Sequence, residues 1–406
     1  MSERYPGGII SKTPPTVTGP ATSGLTPGEG GSASGVWTLA DVLTYEKIGS
    51  WPVPILRKLW AWGANTSGVL DNNSTINRSS PVQVGTLSTW YQVSGGNGSA
   101  LAIATNGTLW AWGENTSGQI GDITVANKSS PTQVGALTTW TKVSAGSYHS
   151  TAIKTDGTLW IWGRNSNGQL GDNTIAYRSS PIQVGALTTW SQVSGGLIHT
   201  MAIKTDGTMW AWGANATGRL GDNTLINRSS PIQIGTLTTW SSISAGRNTS
   251  AARKTDGTVW VWGNNTNGEV GDNTRINRSS PVQIGALTDW AVISAGGYHT
   301  AALKTGGTLW AWGRNQYGQV GDNSVTSRSS PVQIGLLTTW TAVSAGQEQN
   351  VALQSAGSMW TWGLNNNGRL GLGNVLPRSS PTQVGNLTKW YQVASGNVHI
   401  SAIYKG

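Results

Sequence analysis

"KTDGTLWIWGRN", residues 154–165, holds the turn and the strand on which the fold of this chain depends. The same twelve positions read "KTDGTMWAWGAN" at 204–215 and "KTDGTVWVWGNN" at 254–265. Trp-x-Trp-Gly begins at Trp60, Trp110, Trp160, Trp210, Trp260, Trp310 and Trp360, fifty residues apart without slippage. A further tryptophan recurs at 90, 140, 190, 240, 290, 340 and 390, so all of the chain's 23 tryptophans except Trp37 and Trp51 belong to the repeat. A fixed period of this length is the signature of a repeat architecture.

Each unit reads as four short strands, placed in the third copy near 159–162, 181–184, 190–194 and 200–204. Asp206-Gly207 then turns the chain into the next Trp-x-Trp strand, and Asp-Gly between apolar strands predicts a two-residue type I′ hairpin. Leu159 and Ile161 point to one face of their strand and Trp160 and Trp162 to the other. A strand apolar on both faces needs cover on both sides, as in a small sheet held between two neighbours. Four-stranded units of near-constant length predict an all-β, seven-bladed β-propeller. The last copy stops at "HISAIYKG" (399–406) and the first begins at "LWAWG" (59–63). Each lacks what the other supplies, so pairing first and last repeats closes the ring.

The propeller therefore spans 59–406, preceded by a Pro/Gly/Ser/Thr-rich arm over 1–58 that has little to bury and reads as extended. Within the arm, "VWTLADVLTYEKIGSW" (36–51) allows a short helix, and Ile9, Ile10, Trp37, Leu39 and Trp51 are its candidate docking residues. Cysteine is absent, which excludes disulfides and thiolate metal sites. The N-terminus has no basic segment followed by an apolar run, so no signal peptide is expected, and no stretch reaches the length of a membrane span.

The net charge is +9, of which +8 lies beyond residue 58. One repeated position, Arg78, Lys128, Arg178, Arg228, Arg278, Arg328 and Arg378, supplies seven of those eight charges. Two readings are open. An Asp six residues earlier in "GDNTxxxR" closes each loop on its own basic residue, or seven cations form a ring that binds a polyanion. With no basic tail, a nucleic-acid partner is not expected.

The residues "LWIWGRNSNGQLGDN", "SSPIQV" and "VSGGLIHTMAI" resemble the repeat of the regulator-of-chromosome-condensation family of seven-bladed propellers. The resemblance covers all seven copies, with departures at Asn72, at "GLGN" in the seventh copy, and at Ser99, Thr249 and Gln349 where other copies carry His. It implies a propeller fold, and it implies that His149, His199, His299 and His399 hydrogen-bond loop backbone. For the namesake family the function would be guanine-nucleotide exchange with chromatin binding. Separately, "GGIISKTPPTVTGP" and "SGVWTL" in the arm resemble N-terminal segments of tailed-bacteriophage structural proteins.

No catalytic constellation emerges. The propeller's glutamates, Glu114, Glu269 and Glu348, sit in differently placed loops, and no nucleophile elbow, phosphate loop or His-Glu-x-x-His occurs. The histidines occupy equivalent positions in different blades, which keeps them from converging on one zinc ion. No cofactor or metal is expected. Variation between copies concentrates at 64–67, 73–77, 97–99 and their equivalents. Such loops emerge at propeller faces, where binding surfaces are built on rigid scaffolds, and neutral drift gives the same pattern. Tyr148, Arg247, Tyr298, Gln347 and Glu348 are the candidate recognition residues. From the arm and the repeats together, the expected function is a non-enzymatic structural or adhesive component of a phage virion. The arm would bind other virion proteins or a second copy, and the loops a host glycan or protein. The alternatives are a free carbohydrate-binding propeller and the namesake exchange factor.

Overall fold

The computed structural model describes residues 56–70 and 74–406. By its contacts the chain divides into Met1–Ile55 and Leu56–Gly406, and the expected short helix and the residues Ile9, Ile10, Trp37, Leu39 and Trp51 lie outside the described residues. The second unit forms seven four-stranded antiparallel sheets. We number the blades I to VII by their inner strands, which begin at Trp90, Trp140, Trp190, Trp240, Trp290, Trp340 and Trp390. Blade III runs outward through Trp190–Gly195, His199–Lys204, Met209–Gly213 and Arg228–Gln233. Blade VII takes its two inner strands from the C-terminal end and its two outer strands, Arg57–Gly63 and Arg78–Gln83, from the other end. Arg57–Gly63 pairs antiparallel with His399–Lys405 from Arg57↔Lys405 through Gly63↔His399. The ring is closed as the complementary ends predict.

The Asp-Gly hairpin differs from the expected type I′ turn. Gly157 lies at φ +75 and Asp156 is not in the left-handed region. The Gly157 N–H closes the turn on the Lys154 carbonyl at 3.0 Å, and Lys154 N–H meets Thr158 O at 3.1 Å. This is the three-residue hairpin in which the glycine supplies a bulge. Asp156 serves by accepting from the Thr158 N–H at 2.9 Å and from its hydroxyl, so the aspartate is there as a side-chain acceptor.

Every blade boundary is one apolar cluster. Between blades II and III, Leu159, Ile161, Leu170 and Val184 pack against Trp190, Ala202 and Trp212. The two-faced strand seen in the sequence thus turns Leu and Ile toward the following blade and Trp toward the preceding one. Trp162, Trp212, Trp262 and their equivalents are fully buried. The third tryptophan is also core, 1–5% exposed in every blade. It meets the first tryptophan of the pair edge to face, as Trp190 meets Trp210 at 6.1 Å, a favoured aromatic geometry. That first tryptophan is half-buried, and in blade III the Lys204 ammonium covers its ring at 3.7 Å.

Polar groups join the same boundaries. The Trp212 indole N–H and the Thr200 hydroxyl both donate to the Gln169 carbonyl of the preceding blade, at 2.9 and 2.8 Å. The pattern repeats at Trp162 and Ser150 on Gln119 O, and at Trp262 and Ser250 on Arg219 O. A buried carbonyl has two lone pairs to satisfy, and here both are used.

The loop joining the two outer strands of a blade requires a left-handed residue after Gly-Asp. Asn173, Asn223, Asn273 and Asn323 supply it at φ 60–61. Blade I places Ile123 there, at φ 66 and 79% exposed. A β-branched residue in that region is strained. Ile123→Asn should therefore raise stability by about 1 kcal/mol, read as a higher urea midpoint with unchanged slope. A lower midpoint would show that the loop relaxes the strain elsewhere.

Candidate functional site

The histidines are interior groups. His149, His199, His299 and His399 are at most 1% exposed. His149 Nε2 lies 3.0 Å from Thr200 Oγ1, and His299 Nε2 lies 2.8 Å from Asn350 Oδ1. Because the Thr200 hydroxyl proton is committed to Gln169 O, the imidazole must donate, which sets the Nε2–H tautomer. For His149, His199 and His299 the partner is a side chain of the next blade, where the sequence pointed to loop backbone. Burial drives His149, His299 and His399 down to about 4 and His199 well below the ordinary range. Among the described residues no group of three or more His, Asp or Glu is arranged to hold a metal.

Five of the seven repeated cations are paired with the aspartate of their own loop. Lys128–Asp122, Arg178–Asp172, Arg228–Asp222, Arg278–Asp272 and Arg328–Asp322 stand at 2.5–2.9 Å. Burial alone would push the Asp172 carboxyl up, but bonds from Thr174 and Arg178 outweigh it and hold it below the usual range. Asp172 also orders the loop by accepting from the Thr174 N–H and from Asn165 Nδ2. Each pair is partly exposed on its cationic side, which limits its worth to about 1 kcal/mol or less. Arg378, whose loop reads Leu372-Gly373 in place of Asp-Asn, donates to the Pro377 carbonyl. The partner position of Arg78, Asn72, lies outside the described residues. The five pairs neutralise most of the charge that made a polyanion ring conceivable.

The variable loops share one face of the disc. The tip between the two inner strands and the loop between the two outer strands meet there, as Arg164 N to Tyr148 O, Ala214 N to Ile198 O and Arg314 N to Tyr298 O, each at 2.9 Å. This adjacency brings three of the five candidates into one cluster. The guanidinium groups of Arg247 and Arg314 lie 5.0 and 4.8 Å from the centre of the Tyr298 ring, and Arg314 pairs with Glu348 at 3.0 Å. Gln347 stands directly across from Gly297, so close that a Cβ there would clash with its backbone. Tyr148 lies apart on blade II, where Arg164 stacks over it at 5.3 Å and Asn97 reaches its hydroxyl at 3.3 Å. Sequence reasoning missed Arg314, Arg164 and Asn97, because their importance comes from contacts between loops that are far apart in the chain. The signal was present for all three, since each lies in a loop that varies among the repeats.

At the centre of the face opens a channel of about 170 Å³. The inner strands line it with Ser94, Ser144, Ser194, Ser244, Ser294 and Ser344. Each serine oxygen accepts a backbone N–H of the next blade, for example Ala245 N to Ser194 Oγ at 2.9 Å. At the mouth, Asn397 Nδ2 donates to Asn97 Oδ1 and Ser147 Oγ at 3.1 and 3.0 Å.

The buried histidines carry a pH signature. Their folded pKa of about 4 lies below the ordinary value of about 6.5. Between those limits the unfolded chain takes up protons that the folded chain refuses, so stability is complete above pH 6.5 and falls as pH drops toward 4. The limiting slope is about 1.4 kcal/mol per pH unit for each such histidine. His149→Gln, which imports the residue that Gln349 already supplies in blade VI, should flatten the fall in urea midpoint between pH 7 and 5. An unchanged slope would contradict the neutral, buried assignment.

The profile of the RCC1-like domain matches residues 58–402. The fold is similar to that of human WBSCR16, with 23% identity and a TM-score of 0.76, covering 86% of this chain and 99% of that one. It is similar to Prp20p of Saccharomyces cerevisiae at 21% identity and a TM-score of 0.76, covering 87% and 92%. Yeast RCC1 (Prp20) in its complex with Kap60 gives 19% identity and a TM-score of 0.76, covering 87% and 89%. No curated protein matches the chain in sequence. These findings correct the expectation of a phage virion component, with its virion partners and location, because the matched family and the similar structures are RCC1-like and nothing in them is a virion protein. No helix of the described residues is long and apolar enough to cross a membrane. With its profile match running through all seven blades, the chain belongs to the RCC1-like domain family.

Proposed function

We propose that this chain is a non-enzymatic protein-binding propeller whose loop-bearing face docks a protein partner. The observation that carries this reading is the cluster on blades IV to VI, where Tyr298 is held between Arg247 and Arg314 and Arg314 is held by Glu348. Tyrosine and arginine, held rigidly and left half-exposed, are the residue types that dominate binding at protein interfaces. The same face carries exposed aliphatic tips on its outer loops, among them Ile123, Val125, Ile175, Leu225 and Ile276, each 60–79% exposed. Apolar groups repeated around one face favour a protein partner.

Two further considerations support a binding role over catalysis. His149, His199 and His299 are engaged in joining blades, and the glutamates Glu114, Glu269 and Glu348 belong to separate loops. Prp20p, which shares the fold, binds Gsp1p and histones, and yeast RCC1 (Prp20) is bound to Kap60. Protein recognition is thus a use to which this scaffold is put elsewhere.

The test exploits the absence of cysteine from the chain. Asn248→Cys places a single crosslinker on the loop-bearing face, and Leu187→Cys places one on the opposite side. Crosslinking in extract of the source cell should yield discrete protein adducts from position 248, lost on Arg314→Ala with Tyr298→Ala, and none from 187. Adducts of equal yield from both positions, or adducts indifferent to the double substitution, would refute the assignment of this face.

A further inference from the structure

Arg219, next to the tip residue Arg247 at the mouth of the central channel, departs from the residue type that four other repeats carry at its position. Position 219 is Gln119, Gln169 and Gln319 in other blades and Glu269 in another. There the side-chain oxygen accepts the N–H two residues earlier, from Ser117, Asn167, Tyr317 and Asn267, at 2.8–2.9 Å. A guanidinium has donors and no acceptor, so Arg219 cannot do that work, yet it is 4% exposed. Arg369 carries the same change but is accommodated. It donates to Asn366 O and Asn397 O at 3.0 and 3.3 Å, and although burial lowers it, the Glu348 carboxylate works against that effect.

Arg219 has no such provision among the described residues. It makes one long bond, Nη1 to the Arg247 carbonyl at 3.4 Å, and its buried Nε–H has no partner. Burial and the neighbouring Arg247 cation pull it down to about 10. Arg247 lines the channel mouth and also keeps a buried Nε–H without a partner. Two like charges with unused donors, one of them desolvated, are costly unless an anion completes the site. Beside them the channel serines have their oxygens occupied by backbone N–H groups, Ser194 by Ala245 and Ser244 by Ala295, which leaves their hydroxyl protons free to donate into the lumen. On the far side of the mouth Asn97, Ser147 and Asn397 bond one another, and among the described residues the buried guanidinium donors without a partner are those of Arg219 and Arg247, on blades III and IV.

We propose that Arg219 and Arg247 form an oxyanion site at the channel mouth, which receives a carboxylate or phosphate group carried by the docked partner. The identity of the carrier rests on the docking face proposed above; the anion site itself rests on the two arginines. Charge-assisted bonds from guanidinium to carboxylate or phosphate are short and strong, and the free Nε–H groups supply the missing donors.

Calorimetry on the full chain at low ionic strength tests this with three probes: an Asp-Gly-Asp-Gly-Asp peptide with blocked ends, its Asn counterpart, and inorganic phosphate. The Asp peptide should bind and the Asn peptide should not, and phosphate should bind or displace the Asp peptide. The Asp peptide alone identifies a carboxylate as the source, and phosphate binding extends the site to phosphate esters. Arg247→Gln should weaken binding at least tenfold, and Arg328→Gln, which alters an ion pair of the outer loops, should leave it unchanged. Arg219→Gln reinstates the residue of three other blades, so it should fold at least as stably as the parent and still lose the anion. Binding that persists in both Arg219→Gln and Arg247→Gln, or that fails to distinguish Asp from Asn, would overturn the site. If anion binding depends on Arg247 while position 248 captures no protein, the docking reading falls and the site stands. If capture succeeds and no anion binds, the site falls alone.

Discussion

The reach of one indole ring across a blade boundary is the constraint on which the disc depends. Trp212 fills the wedge between blades II and III, and its N–H meets the Gln169 carbonyl of the preceding blade. Neither blade can bury its own apolar face, because the strand Met209–Gly213 is apolar on both sides. Truncating one such tryptophan costs about 3–5 kcal/mol, a large part of the net stability of a whole domain. Repeating the residue at fifty-residue intervals makes every blade depend on two neighbours. Closure of Arg57–Gly63 onto His399–Lys405 removes the two ends that would otherwise lie open.

What the sequence reveals follows from this. Strand order, blade number and closure are legible because the scaffold demands the same residues at every repeat, and complementary ends have one economical pairing. The turn was misread because Asp-Gly serves two hairpin geometries, and the choice is made by a glycine that must bulge beneath Thr158. The tryptophan of "LTTW" is core in every blade. Its burial depends on the neighbouring blade, which no single repeat contains. The Asp–Arg pairs were written in "GDNTxxxR" as one of two readings, and distance decided between them.

The face is harder to read than the frame. Tyr298 and Arg314 are sixteen residues apart in the sequence and stack because adjacent loops share an edge of the sheet. Arg219 is visible as a departure from Gln, but its consequence requires knowing that Gln has an accepting role at that position. In a chain of near-copies, residues that keep the repeat maintain shape, and residues that violate it at a structural cost identify function. Ile123 and Arg219 are both violations. Ile123 costs strain at an exposed tip, whereas Arg219 costs charge in the interior and supplies donors there.

The most direct test of the ring is to remove its closing strand. A chain ending at Val398 lacks His399–Lys405, which lies between Trp390–Ser395 and Arg57–Gly63 in blade VII. If mutual burial holds the disc, loss of this strand should abolish the cooperative urea transition and collapse the near-ultraviolet tryptophan dichroism of the whole protein. If the blades are instead autonomous units in a row, the truncated chain will keep six-sevenths of that signal and unfold at an unchanged midpoint.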